Sequence, residues 1–114
     1  MDAFRQAWQE FPAYRKDGVL PILCDSWLLY PPYAQVFPTQ SNVGKFRTLW
    51  TLYQQKEQEG FPDCWRVFSM DLPQDLTRLP QSTRMQKAFA GYLSTGGSCG
   101  GGAGIVLFDG QKIL

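Results

Sequence analysis

A chain of 114 residues with 44 % apolar and 18 % charged residues is long enough for one core and too apolar for disorder. Eleven basic against ten acidic residues leave a net charge of +1, so no long-range field marks a nucleic-acid or membrane binder. There is no histidine, which excludes a Ser-His-Asp or Cys-His pair, a His-ligated zinc and an imidazole proton shuttle.

The N-terminal residues 2–15 read as an amphipathic helix, with Phe4, Ala7, Trp8 and Phe11 at helical spacing and Asp2 as cap. Pro12 ends or kinks it. Residues 19–24 have strand character, and Pro21 assigns them to an edge or an irregular extended piece. Residues 25–40 carry three prolines among large rings, which excludes a continuous helix and predicts a packed loop.

Residues 42–59 are predicted as the longest helix: Val43, Phe46, Leu49, Trp50 and Tyr53 form one stripe, with Asn42 as N-cap and Gly60 just past the end. Residues 64–70 read as a strand, and 71–81 as a loop. Thr83 and Gln86 make a capping box, behind which Met85, Ala88, Phe89 and Tyr92 line a third helix that stops at Gly96. Residues 105–108, Asp109-Gly110 and 111–114 read as a C-terminal β-hairpin. The expectation is a single α+β domain over 1–114: three helices packed on a small, mostly antiparallel sheet.

The glycine-rich stretch 96–104 carries neither Gly-x4-Gly-Lys-Ser/Thr nor Gly-x-Gly-x-x-Gly. It also runs from a helix into a strand, the reverse of a phosphate loop, and is read as a mobile linker. Cys24, Cys64 and Cys99 form no Cys-x-x-Cys and are read as free thiols. Without a nearby cation Cys99 has nothing to make it nucleophilic, and the aspartates fall where caps and turns need them. No catalytic, metal or cofactor residue is assigned.

Eight Phe, five Tyr and four Trp are more rings than a small core easily hides. The expectation is therefore a non-enzymatic protein–protein interaction module, an adaptor, inhibitor or assembly factor. Trp27, Leu28, Tyr30, Tyr33 and Phe37 are taken as its contact surface for another protein or for a second copy. The alternative is single-stranded nucleic-acid binding, with Lys45, Arg47, Arg66, Arg84 and Lys87 beside exposed rings. No signal peptide or membrane span is visible, and a cytoplasmic location is expected.

Overall fold

The computed structural model describes residues 2–114. Helix α1 (Asp2–Glu10) is followed by a 3-10 turn at Pro12–Tyr14, strand β1 (Leu20–Ser26) and two further 3-10 turns, Trp27–Leu29 and Pro31–Gln35. Helix α2 (Asn42–Thr48), strand β2 (Thr51–Gln58), helix α3 (Cys64–Phe68), a 3-10 turn at Leu76–Arg78, helix α4 (Arg84–Ser94) and strand β3 (Cys99–Phe108) complete the order. The expected α+β class holds: the helices pack on one antiparallel sheet of order β1-β3-β2. Among the described residues no helix is long and apolar enough to cross a membrane.

Locally specified features appear where expected. Thr83 Oγ1 accepts from the Gln86 amide at 3.0 Å while the Gln86 side chain reaches back to the Thr83 amide at 3.3 Å, closing the capping box. Helix α1 ends before Pro12, and its Phe4 and Trp8 rings pack against Phe108 at 5.9 and 6.1 Å. At the C-terminus Asp109 Oδ1 accepts from the amides of Gln111 and Lys112, and the turn closes on a single bridge from Phe108 to Ile113.

Three expectations are corrected. The long helix stops at Thr48, and Thr51–Gln58 turn into strand β2. Thr51 and Tyr53 favour a pleated surface over a helix, and Thr51 and Leu52 pair with Ile105 and Gly104 of β3. The helix cap is Ser41, whose Oγ accepts from the Gly44 amide at 3.0 Å, and not Asn42. Residues 64–68 form a helix, because Cys64, Val67 and Phe68 meet the core at helical spacing and Ser69 ends the turn in the left-handed region at φ +57°.

The third correction concerns the glycine-rich stretch, expected to be a mobile linker: four of its glycines lie in the central strand β3. A Cβ on Gly102 would lie 2.6 Å from the Leu29 carbonyl oxygen, and one on Gly104 would lie 2.8 Å from Trp50 Cβ. Bare backbone lets β3 run beneath the Trp27–Leu29 turn and Trp50, and ladder bonds on both edges offset the entropy that glycine loses.

The core is aromatic. Tyr33, Phe89 and Phe108 are fully buried, Phe61 stacks on Phe89 at 5.3 Å, and Tyr33 meets Tyr30 and Phe89 edge-on at 5.0 and 5.2 Å. Apart from Phe108 of β3, these rings come from the 25–40 segment, α4 and the turn before α3, so the segment expected to offer a surface is the interior itself.

Candidate functional site

The two faces of the sheet are covered unequally. Leu20, Val106 and Phe108 share one face, and Phe4 and Trp8 of α1 pack there against Phe108. On the other face Asp25, Ala103 and Gln54 stand in one row across the three strands, since Asp25 and Gln54 both pair with Ala103. Two residues on, Lys56 pairs with Gly101, and two further on Gln58 pairs with Cys99. Period-two alternation puts Gln54, Lys56 and Gln58 on the same side.

This face forms a polar trough of two adjoining depressions of about 360 and 370 Å³, sharing Asp25, Gln58 and Gly101. Gly101 makes its floor: a Cβ there would point into room, meeting nothing closer than the Ser26 carbonyl oxygen at 3.7 Å. Trp27 forms one wall, and Asp63 with Arg66 the rim. Arg66 Nε donates to Asp63 Oδ1 at 3.0 Å, so those two charges are spent on each other. Among the described residues Asp25 and Lys56 have no ion-pair partner. The trough therefore offers a free carboxylate, a free ammonium and two carboxamides above a floor of bare backbone. Such a set can bind a polar ligand, and Asp25 can accept a proton.

The cysteines stand apart from this chemistry. Burial, with the Asp63 charge, pushes the Cys99 thiol up although Tyr33 hydrogen-bonds to it, and burial likewise raises Cys64 and Cys24. Thiols held protonated are poor nucleophiles.

The surface expected from the sequence is not formed. Tyr30, Tyr33 and Phe37 are buried, and Trp27 and Leu28 are packed against the core. Trp27 lies within 6.2 Å of the rings of Tyr33, Phe37 and Phe89. A loop of large rings and prolines minimises its free energy by folding inward, where each ring finds edge-to-face partners.

The basic stripe dissolves too. Arg47 donates to the carbonyls of Leu28 (2.8 Å), Tyr30 (3.0 Å) and Pro31 (3.3 Å) and sits over the Phe37 ring at 5.8 Å. It staples the 25–40 segment and is withdrawn from any phosphate. Arg66 is paired with Asp63, Lys45 projects from α2, and Arg84 and Lys87 project from α4. Of the residues nominated from sequence, only Arg66 and Trp27 reach the trough. Asp25, Gln54, Lys56 and Gln58 were missed, because Asp25 reads as a turn residue and the other three as the solvent side of a helix. The polar alternation Gln54-x-Lys56-x-Gln58 was the signal that could have found them.

Residues 1–106 match the model of a family described as the GNAT-like C-terminal domain. Among solved structures the chain resembles an acyltransferase in complex with decanoyl-CoA, with 28 % identity and a TM-score of 0.69 over 91 % of this chain and 33 % of that one. It also resembles an acyltransferase mutant in complex with octanoyl-CoA (21 % identity, TM-score 0.68, 91 % and 34 % covered). A third is an acyltransferase in complex with decanoyl-CoA and teicoplanin (23 % identity, TM-score 0.66, 93 % and 33 % covered). At 21 % and 23 % identity the likeness is one of fold. The chain spans about a third of the length of these solved relatives. Among curated proteins nothing matches it.

These matches overturn the expectation of a non-enzymatic interaction module, and that of a single-stranded nucleic-acid binder with it. The error lay in taking the absence of histidine and of a recognisable catalytic motif as the absence of an enzyme. Positioned backbone and a carboxylate proton acceptor can also serve group transfer.

Proposed function

Because the chain belongs to the GNAT-like C-terminal domain family, we propose that it serves acyl transfer, its trough taking the polar acceptor of the acyl group. The observation that carries this reading is the family match over residues 1–106, joined to an open polar trough with a free carboxylate. The solved acyltransferases that it resembles were captured with decanoyl-CoA or octanoyl-CoA, so the donor we propose is a fatty acyl-CoA thioester.

The trough suits the acceptor better than the donor's nucleotide. A diphosphate asks for several converging N–H donors, commonly at a glycine turn that opens a helix. Here the glycine run lies inside β3 with a strand on either side, and Lys56 is the trough's one unpaired cation. The described residues do not fit that part of the donor. What they fit is an amine or hydroxyl acceptor: Gln54 and Gln58 orient it by hydrogen bonds, and Asp25 takes the proton it loses as the new acyl bond forms. The thioester carbon–sulfur bond breaks in the same exchange; CoA leaves as its thiolate and takes a proton from solvent, to which Asp25 releases the one it accepted.

The three free cysteines agree with a reducing, cytoplasmic setting, and that location is part of the same reading.

The test is chromatographic detection of acylated product and free CoA when the full chain is given decanoyl-CoA and a panel of amino and hydroxyl acceptors. Asp25→Asn should lower transfer by about a hundredfold, the usual scale of a lost general base. Arg78→Ala, away from the trough, should leave it unchanged. Absence of product with every acceptor, or an Asp25→Asn variant as active as the parent, overturns the reading.

A further inference from the structure

We propose that the acceptor held in the trough is a small zwitterion, an amino acid in the broad sense, with its ammonium toward Asp25 and its carboxylate toward Lys56. The class of acceptor so named rests on the acyl-transfer reading above, while its binding can be read without turnover.

Opposed charge is the first support. Asp25 belongs to β1 and Lys56 to β2, with β3 between them, so their backbones stand about 10 Å apart across the sheet. Both line the same depression of about 370 Å³, and among the described residues neither has an ion-pair partner. Asp63 and Arg66 at the rim neutralise each other. A ligand of one charge satisfies one of these side chains and is repelled by the other, so a plain amine is opposed by Lys56 and a plain acid by Asp25. A ligand with a cation at one end and an anion at the other satisfies both. Gln54 and Gln58, which flank Lys56 on β2, suit either end, since each carboxamide both donates and accepts.

Gly101 is the second and independent support. A Cβ at Gly100 or Gly102 would collide with the backbone of Lys56 or of Leu29, and one at Gly104 with Trp50. Packing therefore requires those three glycines. It does not require Gly101, whose Cβ would meet only ordinary contacts. Glycine inside a strand weakens it, and one without a packing reason marks the close approach of a ligand to backbone. Gly101 pairs with Lys56 and lies two residues from Ala103, the partner of Asp25. A line from Asp25 to Lys56 thus crosses β3 between Ala103 and Gly101, where the body of a zwitterion rests on bare floor. Bound as an ammonium, the acceptor sheds one proton to solvent before it attacks the thioester, and Asp25 takes the second as the amide forms.

The test is titration of the isotope-labelled full chain, followed by amide NMR shifts, with glycine, γ-aminobutyrate and ε-aminocaproate. Butylamine and butanoate are the probes of single charge. At least one zwitterion should shift the amides of Gly101 and Ala103 and bind at least about tenfold tighter than butylamine or butanoate, the scale of one hydrogen bond to a charged group. Lys56→Gln should abolish the advantage over butylamine, and Asp25→Asn that over butanoate. Lys45→Gln, on α2 and outside the trough, should bind as the parent does. No zwitterion bound, butylamine or butanoate as tight as every zwitterion, or an advantage that survives Lys56→Gln, each overturns the proposal. A zwitterion bound there but never acylated by decanoyl-CoA strikes the acyl-transfer reading and leaves the ligand class. Product from simple amines without preference for zwitterions does the reverse.

Discussion

Tyr33, Tyr92, Cys64 and Cys99 place ionisable groups where burial disfavours their charged forms. Tyr33 Oη accepts from the Gly100 amide at 3.2 Å, Tyr92 Oη donates to the Ser98 carbonyl, and Tyr30 Oη pairs with Ser98 Oγ at 2.8 Å. Three phenols thus hold the entry to β3. All four groups keep their protons in the folded chain to higher pH than in the unfolded chain, where thiols titrate near 9.0 and phenols near 10.0. The unfolded state therefore binds fewer protons above pH 9, and stability must fall as pH rises. Urea midpoints measured between about pH 7 and 11 should be level to near 9 and then decline, and Tyr33→Phe should lessen the decline above 10. A midpoint that climbs with pH would contradict this. Arg47 shows the limit of reading one residue at a time. Burial lowers its pKa, and its three carbonyl partners lie 16 to 19 residues away in sequence, so nothing local distinguishes a staple from a phosphate ligand.

At the scale of elements, the glycine strand decides where the trough lies. Neighbouring glycines of β3 face opposite ways, and only one way has room. Gly101→Ala should be tolerated within about 0.5 kcal/mol, because ordinary contact awaits its Cβ. Gly102→Ala should cost about 2 kcal/mol or more, because the Leu29 backbone must move to admit it. Paired urea denaturation of the two variants checks both values, and equal costs would mean that β3 does not run beneath the Trp27–Leu29 turn. The same strand explains why β2 was taken for a helix. Val43, Phe46 and Trp50 do follow a helical stripe, but Leu52 and Tyr53 beyond them are exposed, and the register shift between Leu52 and Gln54 is where the strand settles against β3.

The whole molecule is elongated, with one end of its sheet polar and hollow and the other apolar and bare. The sequence by itself determined what a few neighbouring residues can satisfy among themselves: the capping box of Thr83 and Gln86, the halt of α1 at Pro12, the Asp109 turn, the α+β class, and a chemistry without imidazole. Tertiary structure alone decided that the glycines are a strand, that the proline-rich rings are the core, and that Asp25, Gln54, Lys56 and Gln58 share a face. The physical reason is range. A cap or turn closes its hydrogen bonds within a few residues, whereas β3 finds its partners some forty to ninety residues back. Burial belongs to the packed neighbours and not to the side chain that they enclose.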